Sequence, residues 1–313
     1  MTKAVLIVNP SSGGESGEKY TELAVETLAS LYDSIVVKET EKEGDAERFA
    51  NEAAKEKVEA VFVMGGDGTV NEGVNGIAKE EPRPKFGIIP LGTVNDLGRA
   101  LGIPLDPEEA IRMLPHAVTK ELDIGKVNDG YFVDVIAIGK IPEAVKNVSA
   151  EQKTRLGTLA YFIEGAKAIT EDQSYPFRLL LDDEVIEQDS SLVLIALTNS
   201  VGGFEKMLPH AKIDDGYLHL VALKGSSFLD KVKLVPQVLT GNTTNADGIF
   251  YRNFESGEIN SLKGDRKVTS NIDGDEGVPL PLRVQVLPKH LTIFVKDEQA
   301  SSGFSRAEEK NLS

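Results

Sequence analysis

Three glycine-bearing loops hold the residues best suited to chemistry. The segment Val61-Phe-Val-Met-Gly-Gly-Asp-Gly-Thr-Val-Asn-Glu72 runs from an apolar strand into a Gly-rich turn and then a helix. Gly65, Gly66 and Gly68 allow a sharp turn and a close backbone approach to a bulky anion, and the amides of a helix start point at it. Such a turn can cradle a phosphate, or simply join a strand to a helix, and alone it does not name a nucleotide. A second loop, Ile88-Ile-Pro-Leu-Gly-Thr-Val-Asn-Asp-Leu-Gly-Arg99, presents Thr93, Asn95, Asp96 and Arg99 just past a strand end. There Thr93 or Asn95 can cap the next helix and Asp96 can face a metal-bound phosphate. The plainer alternative makes Asn95 and Asp96 caps only and Arg99 a surface ion-pair partner. A third loop, Asn9-Pro-Ser-Ser-Gly-Gly14, follows another strand. Three such loops at the carboxyl end of one sheet point to a nucleotide site. Asp214-Asp-Gly216 and Asp273-Gly-Asp275-Glu276 are acidic turns, whereas His116, His210, His219 and His290 lie scattered without metal-ligand spacing.

The elements that must position these loops follow from periodicity. Ala4 to Val8, Ile35 to Val37, Ala60 to Met64 and Phe86 to Ile89 are Val- and Ile-rich runs that suit buried parallel strands. Tyr20, Leu23, Ala24, Leu28 and Leu31 recur at helical spacing, and Asp45 reads as the N-cap of a helix through about Lys57. This βαβα rhythm ends near Leu122. Strand-like segments follow at Tyr131 to Ile138, Phe177 to Leu181, Leu192 to Thr198, Tyr217 to Leu223, Lys267 to Ile272, Leu282 to Leu287 and Leu291 to Val295. Asp182-Asp183 suits a tight turn, and helical stretches fall at Leu156 to Ile169 and Ser227 to Leu239. The expected architecture is an α/β nucleotide-binding domain over 1–122 and a mainly antiparallel β-sandwich domain over 123–298. A polar tail, 299–313, is either disordered or packs back on the first.

Composition limits the function classes. With 313 residues, two domains are expected, and 41% hydrophobic residues supply two cores. The 34 Lys and Arg against 50 Asp and Glu leave a net charge of −16, which excludes a general nucleic-acid binder and makes any contact with anionic membranes local. The absence of Cys removes disulfides, thiolate nucleophiles and zinc–cysteine sites. The opening apolar run is too short for a signal peptide or a membrane span, so a soluble cytoplasmic protein is expected.

The motifs together resemble the diacylglycerol kinase catalytic family, particularly its small soluble bacterial lipid kinases. The resemblance rests on Asn9-Pro10 with Ser12 and Gly13, GGDGTVNEGVNG (Gly65 to Gly76) and PLGTVNDLGRALGIP (Pro90 to Pro104). It continues through Lys153-Thr-Arg155-Leu-Gly157 with Ala160-Tyr161, Thr198-Asn199, Gly202-Gly203-Phe204, Pro209, Ala211, Asp214-Asp215-Gly216 and Asn271-Ile-Asp273-Gly274-Asp275. Nearly the whole chain is covered. The resemblance implies an ATP-dependent kinase with its active site in a cleft between the two domains, acting on a lipid hydroxyl, most directly that of diacylglycerol.

Position by position, it assigns Asn9, Pro10, Ser11, Ser12, Gly13, Thr40, Gly65, Gly66, Asp67, Gly68, Thr69, Val70, Asn71 and Thr93 to ATP. Asp67, Asp96 and Arg99 fall in a charged network around the triphosphate and its Mg²⁺. Asp215 would hold a structural Mg²⁺ with backbone oxygens near Lys212 and Tyr217. Where the family usually has a Glu as general base, this chain has Asp275, followed by Glu276. Either serves as the base, or the site is impaired. A kinase of a soluble acceptor such as NAD and a silent nucleotide or lipid sensor are the alternatives. A lipid acceptor implies transient contact with the inner face of a membrane, for which Lys140 to Tyr161 is the candidate, and relatives suggest a homodimer.

Overall fold

The protein is described by a computed structural model that covers residues 1–12, 17–139, 174–200, 208, 210–224, 248–262 and 268–297. The first lobe contains β1 (Lys3–Val8), α1 (Gly17–Ala29), β2 (Ser34–Glu39), α2 (Asp45–Lys55), β3 (Ala60–Gly65), α3 (Asp67–Ala78), β4 (Lys85–Pro90), α4 (Asp96–Ala100) and α5 (Pro107–Met113). The chain continues with β5 (Val118–Val127), β6 (Gly130–Phe132), β7 (Val135–Gly139), β8 (Tyr175–Leu181), β9 (Glu184–Ala196), β10 (Leu218–Lys224) and β11 (Ile249–Phe254). It ends with β12 (Ser256–Ser261), β13 (Ser270–Ile272), β14 (Asp275–Glu276) and β15 (Leu282–Val295).

β2, β1, β3 and β4 pair in parallel, in that order. Their alternating side chains feed two cores, as a period of two requires. Val5, Ile7, Val61 and Val63 pack under α2 and α3, while Ala4, Leu6, Phe62 and Met64 pack under α1 and α5. With helices on both faces, the inner strands are apolar throughout, which is why they were readable as unbroken runs. The second lobe is antiparallel and closes on Phe132, Phe177, Phe254 and the aliphatic residues of β7, β9 and β15. The two-residue turn at Asp182-Asp183 joins β8 to β9, with Asp182 at φ 51.

Several expected elements come out differently. Asp45 is the first residue of α2 rather than its cap, and its carboxylate accepts from the Glu41 and Lys42 amides. The amides of Gly44 and Ala46 are instead satisfied by Glu72 of α3, 2.9 and 3.0 Å away. Tyr131 to Ile138 is split into β6 and β7 around the buried Asp134. Leu282 to Leu287 and Leu291 to Val295 form one strand, with an irregularity between Leu287 and Leu291. The amide of Lys289 in that irregularity donates to Asp123 at 2.7 Å, which keeps it satisfied. β15 pairs with β5 on both sides of the break and meets β4 in parallel at Ile293 and Phe86. Leu291, Ile293 and Val295 therefore lie in the core of the first lobe. The expected helices at Leu156 to Ile169 and Ser227 to Leu239, the docking stretch Lys140 to Tyr161 and the tail 299–313 lie outside the described residues.

Gly76 marks where α2 and α3 meet. A Cβ there would sit 2.4 Å from the Glu47 carbonyl oxygen and 2.7 Å from the Ala50 Cβ. Backbone cannot yield as a flexible side chain does, so Gly76→Ala is expected to destabilise the protein by about 1–3 kcal/mol. An unchanged urea midpoint would show that the two helices part without cost.

Candidate active site

The carboxyl ends of β1, β3 and β4 bring the three loops together. The Asn9 amide donates to Met64 O at 2.9 Å, the Leu91 amide to Gly65 O at 2.8 Å, and the Thr40 amide to Val8 O at 2.9 Å. The Asn9 side chain folds its own loop by accepting from the Ser11 amide and hydroxyl, and its Nδ2 donates to Thr69 Oγ1 at 2.9 Å. Pro10 and Ser12 lie in the same turn, Thr93 is exposed on the facing loop, and Gly13 lies outside the described residues. Gly66 and Gly92 back directly onto each other: a Cβ on Gly92 would be 2.8 Å from the Gly66 Cα. Only two glycines let these turns approach backbone to backbone. Gly66 brings no capping side chain to the start of α3, so the Gly68 and Thr69 amides form a positive concavity beside Gly65, while the Val70 amide bonds back to Gly66 O at 3.0 Å.

Asp67 links the first and second catalytic loops. Its Oδ2 accepts from the Asn95 amide at 2.9 Å and its Oδ1 from the Asp96 amide at 2.8 Å, so Asp67 caps α4 from another loop. The Asn95 side chain, expected as a possible cap, instead bonds Gly92 on both its oxygen and its nitrogen. Burial pushes the Asp67 carboxyl up, as does the nearby Asp96, against the opposing pull of the amides of Asn95, Asp96 and Asp67 itself. Asp96 is buried and accepts from the Ser200 hydroxyl of the second lobe at 2.7 Å. Arg99 is anchored through Nε to Val94 O at 2.7 Å.

The second lobe closes over this group with the β13–β14 hairpin. Asp273, at φ 48 in its turn, is buried and accepts from the Val133, Asp134 and Val135 amides at 2.7, 3.0 and 2.8 Å. It also accepts from Asn71 Nδ2 of α3. Asp275, on the same hairpin, reaches the Gly-rich turn: its Oδ2 is 3.6 Å from where a Gly68 Cβ would be. Desolvation raises its pKa, helped by Glu43 and Glu72. Glu276 is the next residue of a two-residue strand, so its side chain leaves the opposite face. Asn71, expected among the nucleotide contacts, has both ends of its amide engaged by protein, because its Oδ1 accepts from Asn75 at 2.9 Å.

Sequence reasoning gave no role to Asp134 or Ser200. Asp134 is buried with Oδ1 unpartnered, and desolvation, then Asp273, Asp96 and Asp67, push its pKa well above the ordinary value. Its signal was an acid placed within the apolar run Phe132-Val-Asp-Val-Ile136.

Asp273 yields a pH prediction. Burial pushes its pKa from 3.8 up to about 6, so the folded state holds this proton more tightly than the unfolded chain. Its stabilising contribution is then fully present below the unfolded value and lost as pH rises through about 6. The unfolding free energy of the native protein minus that of Asp273→Asn should fall as pH goes from about 4 to about 7. A flat difference across that range would overturn the assignment.

The Asp215 carboxylate braces its own turn. Its Oδ2 accepts from the Lys212 amide at 2.9 Å and faces His219 Nε2 at 3.0 Å, while its Oδ1 accepts from the Tyr217 amide at 3.0 Å. Lys212 and Tyr217 thus turn N–H donors toward this carboxylate, which closes the turn ahead of β10. Burial would raise the Asp215 pKa, but these bonds outweigh it and the net shift is downward. Among the described residues no group of three or more His, Asp or Glu is arranged to hold a metal. None has a helix long and apolar enough to cross a membrane.

Comparison with known proteins finds two family models along the chain. The diacylglycerol kinase catalytic domain matches residues 3–127, and the YegS C-terminal NAD kinase beta sandwich-like domain matches 135–295. A Staphylococcus epidermidis diacylglycerol kinase is 35% identical over 292 residues, covering 93% of this chain and 92% of that protein. One from Staphylococcus aureus is 34% identical over 296 residues, covering 95% and 93%. A crystal structure of a diacylglycerol kinase from Bacillus anthracis superposes with a TM-score of 0.80 at 29% identity, covering 95% of this chain and 98% of that one. Matched along nearly all its length in sequence and in fold, this chain belongs to the diacylglycerol kinase family of lipid kinases.

Proposed function

We propose that the protein transfers the γ-phosphoryl group of ATP, bound as its Mg²⁺ complex, to the hydroxyl of a lipid, with diacylglycerol giving phosphatidic acid. One observation carries the reading: Asp275 of the second lobe stands beside Gly68, at the uncapped start of α3. A base on one wall then faces a phosphate cradle on the other. The amides of Gly65 to Thr69 hold phosphate oxygens, and the Asn9 loop and Thr93 flank the nucleotide. Asp67 and Asp96 form the acidic pole that faces the Mg²⁺ arriving with ATP, and Arg99 offsets charge on the group in flight.

In the transfer, the lipid hydroxyl oxygen attacks the γ-phosphorus in line and its proton passes to Asp275. The bond from phosphorus to the bridging oxygen breaks, and that electron pair leaves with ADP. Positioning and electrostatic stabilisation supply most of the rate. The acceptor meets the enzyme at a membrane surface, a contact that the net charge of −16 restricts to a local patch.

The test is transfer of labelled γ-phosphate from ATP·Mg²⁺ to dispersed diacylglycerol, total membrane lipid, a sphingoid base and NAD. Label in phosphatidic acid is the expected result. Label in NAD alone overturns the lipid reading, and no label in any acceptor points to a nucleotide or lipid sensor.

A further inference from the structure

The face of α3 turned toward the second lobe carries two asparagines one turn apart, Asn71 and Asn75, which i,i+4 spacing places side by side. Asn75 is held in one orientation by β6. Its Oδ1 accepts from the Tyr131 amide at 2.9 Å, and its Nδ2 donates to Tyr131 O at 3.0 Å. The same Nδ2 donates to Asn71 Oδ1 at 2.9 Å, which turns the Asn71 amide so that its Nδ2 faces Asp273. Asp273 is two residues from Asp275 across a tight turn in which Asp273 and Gly274 both have positive φ, 48 and 96. Its other acceptor sites are filled by the amides of Val133, Asp134 and Val135, so the root of this hairpin has one fixed seat.

A continuous line of hydrogen bonds therefore runs from β6 through Asn75 and Asn71 to the turn that presents Asp275. The helix supplying two of its members is the one whose other end forms the phosphate cradle. We propose that Asn71 and Asn75 are positioning residues: they hang the Asp275 hairpin from α3, so that base and cradle keep one spacing. This rests on Asp275 acting as the base in the proposed transfer. Neither asparagine touches the reacting atoms. A hydrogen-bonded rule of this kind matters because a base must come within about 3 Å of its proton, and a displacement of about 1 Å can cost about 10²-fold in rate.

The experiment is a double-mutant cycle read by steady-state kinetics. Asn71→Ala should lower kcat about 10- to 10²-fold while the KM for ATP stays within about twofold. Asn75→Ala should lower kcat less, in the same sense, because it leaves Asn71 present but free to turn. In an Asp275→Asn background both losses should vanish, since a mispositioned base costs nothing once the base is gone. Losses of equal size in both backgrounds, or a raised KM for ATP at unchanged kcat, would overturn the proposal; the latter would make Asn71 a direct nucleotide contact. Should Asn71→Ala fail to fold, Asn75→Ala carries the same cycle.

Hydrogen exchange separates this from the functional reading. The amides of Gly274 to Gly277 should exchange faster in either variant, with β3 unchanged. If the native protein transfers no phosphate while the variants loosen only that hairpin, the transfer reading falls and the hanging hairpin stands. Unchanged hairpin exchange in both variants overturns the inference even in an active enzyme.

Discussion

Asp67→Ala is expected to abolish measurable phosphoryl transfer and to lower the unfolding free energy by about 1–2 kcal/mol. The two effects share a cause. The carboxylate accepts from the Asn95 amide and holds the Asp96 amide beside it, so it sets where the second loop stands relative to the first. Without it, two amide donors at the start of α4 lose their acceptor, and Asp96 and Arg99 lose their fixed place beside the first loop. Asp67→Asn separates the two effects. It keeps one oxygen for an amide and so retains part of the stability, yet it removes the charge and should remain inactive. A near-native rate in either variant, measured with labelled ATP and dispersed diacylglycerol, would remove Asp67 and its pole from the mechanism.

The second large effect concerns the base. Asp275→Asn should cut kcat by about 10²-fold or more, while Glu276→Gln should leave the rate within a few-fold of native. This expectation rests on where the two side chains stand. Asp275 points at Gly68, and its neighbour on the same strand leaves the other face. An aspartate is about one methylene shorter than the glutamate usual in the family, and its Oδ2 stands 3.6 Å from where a Gly68 Cβ would be. Because desolvation raises the Asp275 pKa, the acidic limb of the rate profile should lie above the ordinary carboxylate range and disappear in Asp275→Asn. Loss of activity in Glu276→Gln alone would exchange the two roles.

Legibility in the sequence tracked how locally each feature was determined. β1, β3 and β4 were readable because burial on both faces makes each an unbroken apolar run. The Gly-rich turns were readable because close backbone approach demands glycine there. β11 and β12 were missed: Tyr251, Arg252 and Asn253 interrupt one, and Ser-Gly-Glu-Ile-Asn-Ser is too polar to signal the other. β15 was read as two strands because Pro288, Lys289 and His290 look like a loop, and the Asp123 carboxylate that carries the ladder past them lies 166 residues away. The capping roles of Asp67 and Glu72, like the Asn71–Asp273 bond, join residues remote in the chain, and no local spacing announces them.

The ribbon of β5 and β15 has a consequence for how the protein is made. The first lobe's central sheet borders β15, whose Leu291, Ile293 and Val295 complete a core otherwise drawn mostly from the first third of the chain, and Phe294 stacks on Phe62 at 5.3 Å between ring centroids. During synthesis, the nucleotide lobe emerges from the ribosome long before the strand that seals its flank. Until residue 295 is free, the β4 side of the sheet offers open backbone groups and bare apolar side chains. The nascent chain must therefore hold its first lobe partly assembled until β15 has been made.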